Sequence, residues 1–133
     1  MPNENLLGNL AELHAKCFPH KPWGVADFAD LQKSGYEIIA SQNGFIVYRA
    51  TCDEAEIITI GVAPDARRGG IAAAMLGIIE GDLKKRGIKH IFLEVAADNE
   101  PARNLYTGNG YKQIGVRPKY YDGIDAIMMR KEI

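Results

Sequence analysis

Cysteine, tryptophan and net charge are all scarce in this chain of 133 residues, which has two cysteines, one tryptophan and a formal net charge of −1 at pH 7. Cys17 and Cys52 show neither a C-x-x-C spacing nor a secretory context, so both are expected as free thiols in core or half-buried places. Near-neutrality argues against a general nucleic-acid binder and leaves room for a local acidic or basic site. No apolar run is long enough to span a bilayer, and the polar start Met1-Pro2-Asn3-Glu4-Asn5 does not read as a signal peptide. The expectation is therefore a cytoplasmic protein with no membrane partner. His14, His20 and His90 form no ligand spacing, which argues against a metal enzyme. Two familiar phosphate loops are missing as well, G-x-x-x-x-G-K-[ST] and G-x-G-x-x-G. With 47% hydrophobic and 25% charged residues, the sequence reads as one globular domain over residues 1–133.

What is present instead is Arg67-Arg68-Gly69-Gly70-Ile71-Ala72, set between a β-rich run over residues 56–62 and a helical pattern carried by Met75, Ile78, Ile79 and Leu83. Ala63-Pro64-Asp65 makes the turn between them, and Lys84-Lys85-Arg86 with Gly87 closes the helix. Glycines at a helix start let the backbone approach a ligand. There the unpaired N–H groups and the positive end of the dipole favour phosphate.

The remaining pattern predicts a helix over about 5–16, a shorter one over 23–33 with Phe28 and Leu31 inward, and strands over 36–42 and 44–51 turning at Asn43-Gly44. A third strand spans about 54–62 and the long helix about 70–86. His90-Ile91-Phe92-Leu93-Glu94-Val95-Ala96 is nearly continuous in apolar content and is expected inside the sheet. Strand, helix and strand in that order predict a right-handed parallel crossover. Asp98 or Asn99 caps a helix reaching about 109, with Pro101 in its first turn. Antiparallel strands over 111–116 and 124–130 close the chain around a polar, aromatic loop at 117–123. The fold class is α/β, with a mixed, mostly antiparallel sheet and helices on both faces.

The R-x-x-G-x-A of Arg67, Gly70 and Ala72 resembles the pyrophosphate loop of the GNAT N-acetyltransferases. A second motif, N-x-x-A-x-x-L-Y-x-x-x-G-[FY] from Asn99 through Tyr106 to Gly110-Tyr111, resembles that family's fourth helix and the following strand. The resemblance covers nearly all of the chain and implies an acetyl-CoA cosubstrate and no metal. It assigns Arg68, Gly69, Gly70, Ile71 and Ala72 to the pyrophosphate, and Ile60 and Val62 to the thioester end. Arg67 and Arg103 could add positive charge near the phosphates or be plain surface arginines. By the same resemblance Tyr106 protonates the leaving thiolate, and Asn99 lies by the pantetheine as well as capping its helix.

Glu94 is an ionisable group in an apolar strand, so it must be paired, solvated or shifted in pKa. Its L-E-V setting resembles the strand of bacterial ribosomal-protein alanine acetyltransferases (RimI-like) whose glutamate takes the amine's proton, directly or through water. Cys17-Phe18-Pro19 with Trp23 resembles their F-P-W region, and Tyr120-Tyr121, Gly123, Asp125-Ala126-Ile127 and Met129 resemble their closing hairpin. These segments imply an acceptor groove in which Phe18, Trp23, Tyr120 and Tyr121 meet the N-terminal peptide of a protein, a ribosomal protein among the candidates. Packing is the alternative role for each ring. The expected reaction is direct attack in a ternary complex, by a monomer or weak dimer that binds no nucleic acid directly. An acetyltransferase for small amines or amino acids, and a non-catalytic acyl-CoA sensor, stay open as alternatives.

Overall fold

In a computed structural model, the described residues are 4–18, 23–41, 43–67, 69–121 and 123–133, with 4–7 and 121 described by their backbone alone. The elements are α1 (Glu4–Cys17), α2 (Val25–Lys33), β1 (Glu37–Ala40), β2 (Gly44–Thr51), β3 (Glu54–Val62), α3 (Ile71–Lys85), β4 (His90–Ala96), α4 (Glu100–Gly108), β5 (Lys112–Tyr121) and β6 (Ile124–Glu132), with a short 3₁₀ turn at Pro64–Ala66. The six strands are ordered β1-β2-β3-β4-β6-β5. β3 and β4 form the parallel pair, while β1/β2, β4/β6 and β6/β5 are antiparallel. This is the expected mixed α/β fold with its parallel crossover.

Two compact units divide the chain. The first takes in α1, α2, β1, most of β2, the end of β3 and the start of α3; the second takes in the β2–β3 turn, the start of β3 and everything from the middle of α3 onward. In the first unit, helical spacing brings Leu10 and Leu13 of α1 inward, and Phe28 of α2 meets Phe45 of β2 edge to face at 6.1 Å. In the second, Leu76, Ile79 and Leu83 of α3 are buried, as are Ile91, Leu93 and Val95 of β4 and Ile127 and Met129 of β6. One polar cluster joins this core: Glu80 Oε2 accepts from the Tyr111 hydroxyl at 3.0 Å and Glu80 Oε1 meets Lys131 Nζ at 2.8 Å. Burial, reinforced by the Glu80 carboxylate, pushes the Tyr111 hydroxyl far up, so it keeps the proton it donates to Glu80.

Several expectations are corrected. α2 begins at Val25 instead of residue 23, because Gly24 is its N-cap and Asp27 Oδ2 accepts from the Gly24 N–H at 2.8 Å. The Asn43-Gly44 pair is not the tight turn itself. Gly44 opens β2 without a positive φ, and its missing side chain serves close approach: a Cβ there would lie 2.9 Å from Met75 Cε and 3.0 Å from Ile71 Cγ2. β4 does sit inside the sheet, but only one face is buried; His90, Phe92, Glu94 and Ala96 alternate with the core residues and stay half-buried. Cys17 is half-buried as expected, whereas Cys52 is exposed, at the β2–β3 turn with φ +56°.

The segment 117–121, expected as a loop, continues β5. It escapes a strand-like pattern because β5 is irregular. Its register against β6 shifts between Gln113 and Gly115 and again between Arg117 and Tyr121, and Lys119 takes φ +52°.

Candidate active site

The glycine loop has the geometry an anion needs. Gly70 has φ +78°, and its carbonyl accepts from the Ala74 N–H at 2.9 Å, which makes Gly70 the residue that opens α3. The N–H groups of Ile71, Ala72 and Ala73 therefore fall in the first turn, where a helix offers them no carbonyl. That turn carries no acidic side chain to occupy its positive end. Among the described residues, a Cβ on Gly70 would meet nothing within 4 Å. Gly69 and Gly70 are exposed, Ile71 and Ala72 are half-buried, and Arg68 lies outside the described residues. These features fit a pyrophosphate held by backbone.

Upstream, Ile60 and Val62 are half-buried on β3. Of the nine residues of β3, the parallel register with β4 takes in Glu54–Ile57, paired with His90–Leu93. Arg67 is exposed, yet it folds back: its Nε donates to the Val62 carbonyl at 3.1 Å. Its side chain also hydrogen-bonds Cys17, whose thiol is pushed up by burial and pulled partway back by the guanidinium.

In the second unit Glu94 lies on the half-exposed face of β4 and is paired. Its Oε1 is 2.7 Å from an Arg117 terminal nitrogen, with the Glu94 side chain 22% and the Arg117 side chain 50% exposed. Arg117 also stacks on Tyr120, its Cζ 4.8 Å from the ring centre. Asp125 Oδ1 accepts from the Lys119 N–H at 3.0 Å and so holds the irregular part of β5. Arg117, expected in a loop, thus brings Glu94 and Tyr120 together. Tyr106 is buried in α4, its ring 5.7 Å from that of Tyr111. The Asn99 side chain caps α4, accepting from the Ala102 N–H at 3.3 Å, and Arg103 donates to the Ala97 carbonyl at 2.9 Å. Only the backbone of Tyr121 is described.

Residues 7–111 match the family profile described as acetyltransferase (GNAT) family. The chain belongs to this family. A [ribosomal protein bS18]-alanine N-acetyltransferase of Escherichia coli (strain K12) is 37% identical over 117 residues, covering 81% of this chain and 79% of its own. N-alpha-acetyltransferase RimI of Mycobacterium tuberculosis (strain ATCC 25618 / H37Rv) is 32% identical over 135 residues, covering 92% of this chain and 84% of its own. The crystal structure of the ribosomal-protein-S18-alanine N-acetyltransferase from Escherichia coli matches with a TM-score of 0.86 at 30% identity, over 98% of this chain and 90% of that one. The cosubstrate of this GNAT enzyme is acetyl-CoA, the acetyl donor of the family.

Phe18 and Trp23 have a visible packing role in the GNAT chain. Both are half-buried around His14, with Trp23 stacked on its ring at 4.6 Å and Phe18 tilted at 4.7 Å. The Trp23 N–H donates to His14 Nδ1 at 3.0 Å, which requires that nitrogen to be unprotonated. His14, set aside in the sequence as a metal ligand, is the centre of this cluster. Its signal was its place on the apolar stripe of α1, between Leu13 and Cys17. Among the described residues, no group of three His, Cys, Asp or Glu side chains could hold a metal ion, and His20 lies outside them. No helix of the described residues is long and apolar enough to cross a membrane.

Burial lowers the pKa of His14 below its ordinary 6.5, with Asp27 opposing. The unfolded chain therefore takes up a proton at pH values where the folded chain resists it. This contribution is fully present above about pH 6.5 and is lost as pH falls toward the lowered folded pKa, with a slope of at most ~1.4 kcal/mol per pH unit. Urea unfolding from pH 7 to pH 5 should show this slope in the parent chain. It should be missing from His14→Gln, whose amide oxygen can still accept from Trp23; equal slopes would remove His14 as the source.

Proposed function

We propose that this acetyl-CoA-dependent N-acetyltransferase acts on the N-terminal α-amine of a protein, a ribosomal protein with N-terminal alanine being the first candidate. The observation that carries this reading is the likeness, over 98% of the chain, to a ribosomal-protein-S18-alanine N-acetyltransferase structure. The chemistry of the acceptor supports it. An α-amine titrates near ~7.8 and a lysine amine near ~10.4, so the α-amine is easier to deprotonate by about 3.5 kcal/mol. A single carboxylate is enough for it.

In this reading acetyl-CoA supplies an activated acetyl group as a thioester. The backbone of Gly69 to Ala72 holds the pyrophosphate, and β3 beyond Ile57, outside the parallel register with β4, offers its backbone at Ile60 and Val62 to the pantetheine arm and the thioester. Glu94 takes the proton of the acceptor ammonium, directly or through water, and Tyr106 gives a proton to the departing thiolate. The amine attacks directly, with both substrates bound. Phe18, Trp23, Tyr120 and Tyr121 bound the acceptor. Arg67 and Arg103 serve the cofactor indirectly, by fixing the ends of β3 and β4 through the Val62 and Ala97 carbonyls. A substrate newly made on ribosomes puts the enzyme in the cytoplasm, as a monomer or weak dimer.

Thiol release from acetyl-CoA, measured over peptides with different first residues and over free amines, tests the reading. Alanine-starting peptides should exceed free amines and internal lysines by at least ~10-fold in kcat/KM, the scale of a few added contacts. Equal or better turnover of small amines would replace the protein substrate, and no turnover of any amine would leave an acyl-CoA sensor.

A further inference from the structure

Arg117 reaches Glu94 across an intervening strand. In the register of the sheet, Glu94 of β4 faces Met128 of β6 and Met128 faces Gly115 of β5, while Arg117 faces Ala126. Glycine at 115 and the small, buried Ala126 leave room on this face for the guanidinium to pass to the Glu94 carboxylate. The guanidinium stacks on the Tyr120 ring, and the chain between the two residues is held by the Lys119 N–H bond to Asp125. A stacked guanidinium 2.7 Å from one carboxylate oxygen is a directed, charge-assisted contact. It engages Oε1.

We propose that Arg117 is a positioning residue for Glu94, holding Oε1 so that the acceptor is met by Oε2 and by a carboxylate whose charge is already balanced. This rests on the reading of Glu94 as the group that receives the acceptor's proton. The acceptor arrives largely as an ammonium, and only the free amine can attack. A bare carboxylate would stabilise the ammonium as an ion pair, which is ground-state binding and slows the chemical step. A carboxylate balanced by Arg117 holds the ammonium less firmly. The same charge gives Glu94 no added pull on the proton, so what Arg117 contributes to the transfer is geometric. Oε2 is aimed at the ammonium N–H, the proton passes along that contact to Glu94, and the nitrogen keeps the electron pair it needs.

The test is a double-mutant cycle of Arg117→Met and Glu94→Gln, with Arg117→Lys as rescue, using an alanine-starting peptide and acetyl-CoA. Arg117→Met should lower kcat about tenfold while the peptide binds about threefold more tightly to the CoA-saturated enzyme by calorimetry, with the acetyl-CoA KM and thermal midpoint unchanged. Arg117→Lys should recover most of the loss. In the Glu94→Gln background Arg117→Met should have no further effect, since no proton-accepting carboxylate remains for it to position. Weaker peptide binding together with lower kcat, or additive losses, would overturn the role of Arg117 while leaving Glu94 in place. Full activity of Glu94→Gln would overturn both that role and the reading on which it rests.

Discussion

Glu94→Gln should lower kcat/KM for an N-terminal peptide by about 10²-fold at pH 7, the lower part of the range for positioned acid–base groups. The modest end is expected because the acceptor is itself a weak acid as its ammonium, with a pKa near ~7.8. The size of the deficit should depend on pH. At pH 6.5 about 5% of such an amine is free, so a chain without the carboxylate waits on a scarce species. Above pH 9 nearly all of the amine is free and the missing base matters less. The variant's activity should therefore rise more steeply with pH, and the gap to the parent should narrow. A gap that stays constant across the range would mean that Glu94 shapes the site without handling the proton. Glutamine keeps the volume and one acceptor oxygen for Arg117, so collapse of the hairpin does not confuse the result.

Gly70→Asp should raise the KM for acetyl-CoA about 30-fold, close to 2 kcal/mol for one added negative charge beside a pyrophosphate at a partly solvated helix start. Gly70→Asn is the control. Both residues tolerate a left-handed φ better than other side chains do, and the strain of about 1 kcal/mol is common to the pair. Neither Cβ would collide with a described residue, because none lies within 4 Å of that position. The two variants thus differ by charge alone, and their KM values should separate by about tenfold or more. The folded apo chain should respond the other way, the anion at the N-terminus of α3 adding a few tenths of a kcal/mol over asparagine. Indistinguishable KM values would mean that phosphate does not sit at this helix start.

Much of the architecture was legible because it rests on local signals. The runs at Glu54–Val62 and His90–Ala96 carry enough β-branched and apolar residues to fix both their type and their ends. Asn99 and Pro101 announce α4 by chemistry that is independent of tertiary packing. What stayed hidden depends on contacts distant in sequence. Gly44 looks like a turn residue, and only the approach of Met75 and Ile71 shows that its lack of a side chain matters more than its backbone freedom. His14 looks like an isolated polar residue until Phe18, Trp23, Phe28 and Phe45 close around it. The glycine loop could be proposed as an anion site because the donors such a site needs are backbone groups, which glycine and a helix start announce in sequence. The partner of Glu94 could not, since an arginine before proline in a polar stretch reads as a loop.

The extra residue in β5 carries a consequence for how such a chain can diverge. Lys112 faces Arg130, and an unbroken register would bring residue 114 to Met128 and residue 116 to Ala126; the shift instead brings Gly115 and Arg117 there. Loss of residue 114 would absorb this shift and keep Arg117 opposite Ala126, whereas one residue inserted before Gly115, with the shift retained, would bring Val116 to the place of Arg117 and turn the arginine to the opposite face. A single-codon insertion would then exchange a cation for a branched hydrocarbon beside Glu94, with the glycine loop at the start of α3 unaltered in sequence. The surroundings of Glu94 are therefore open to change by a length change in the outer hairpin, a route that point substitution at the carboxylate does not offer.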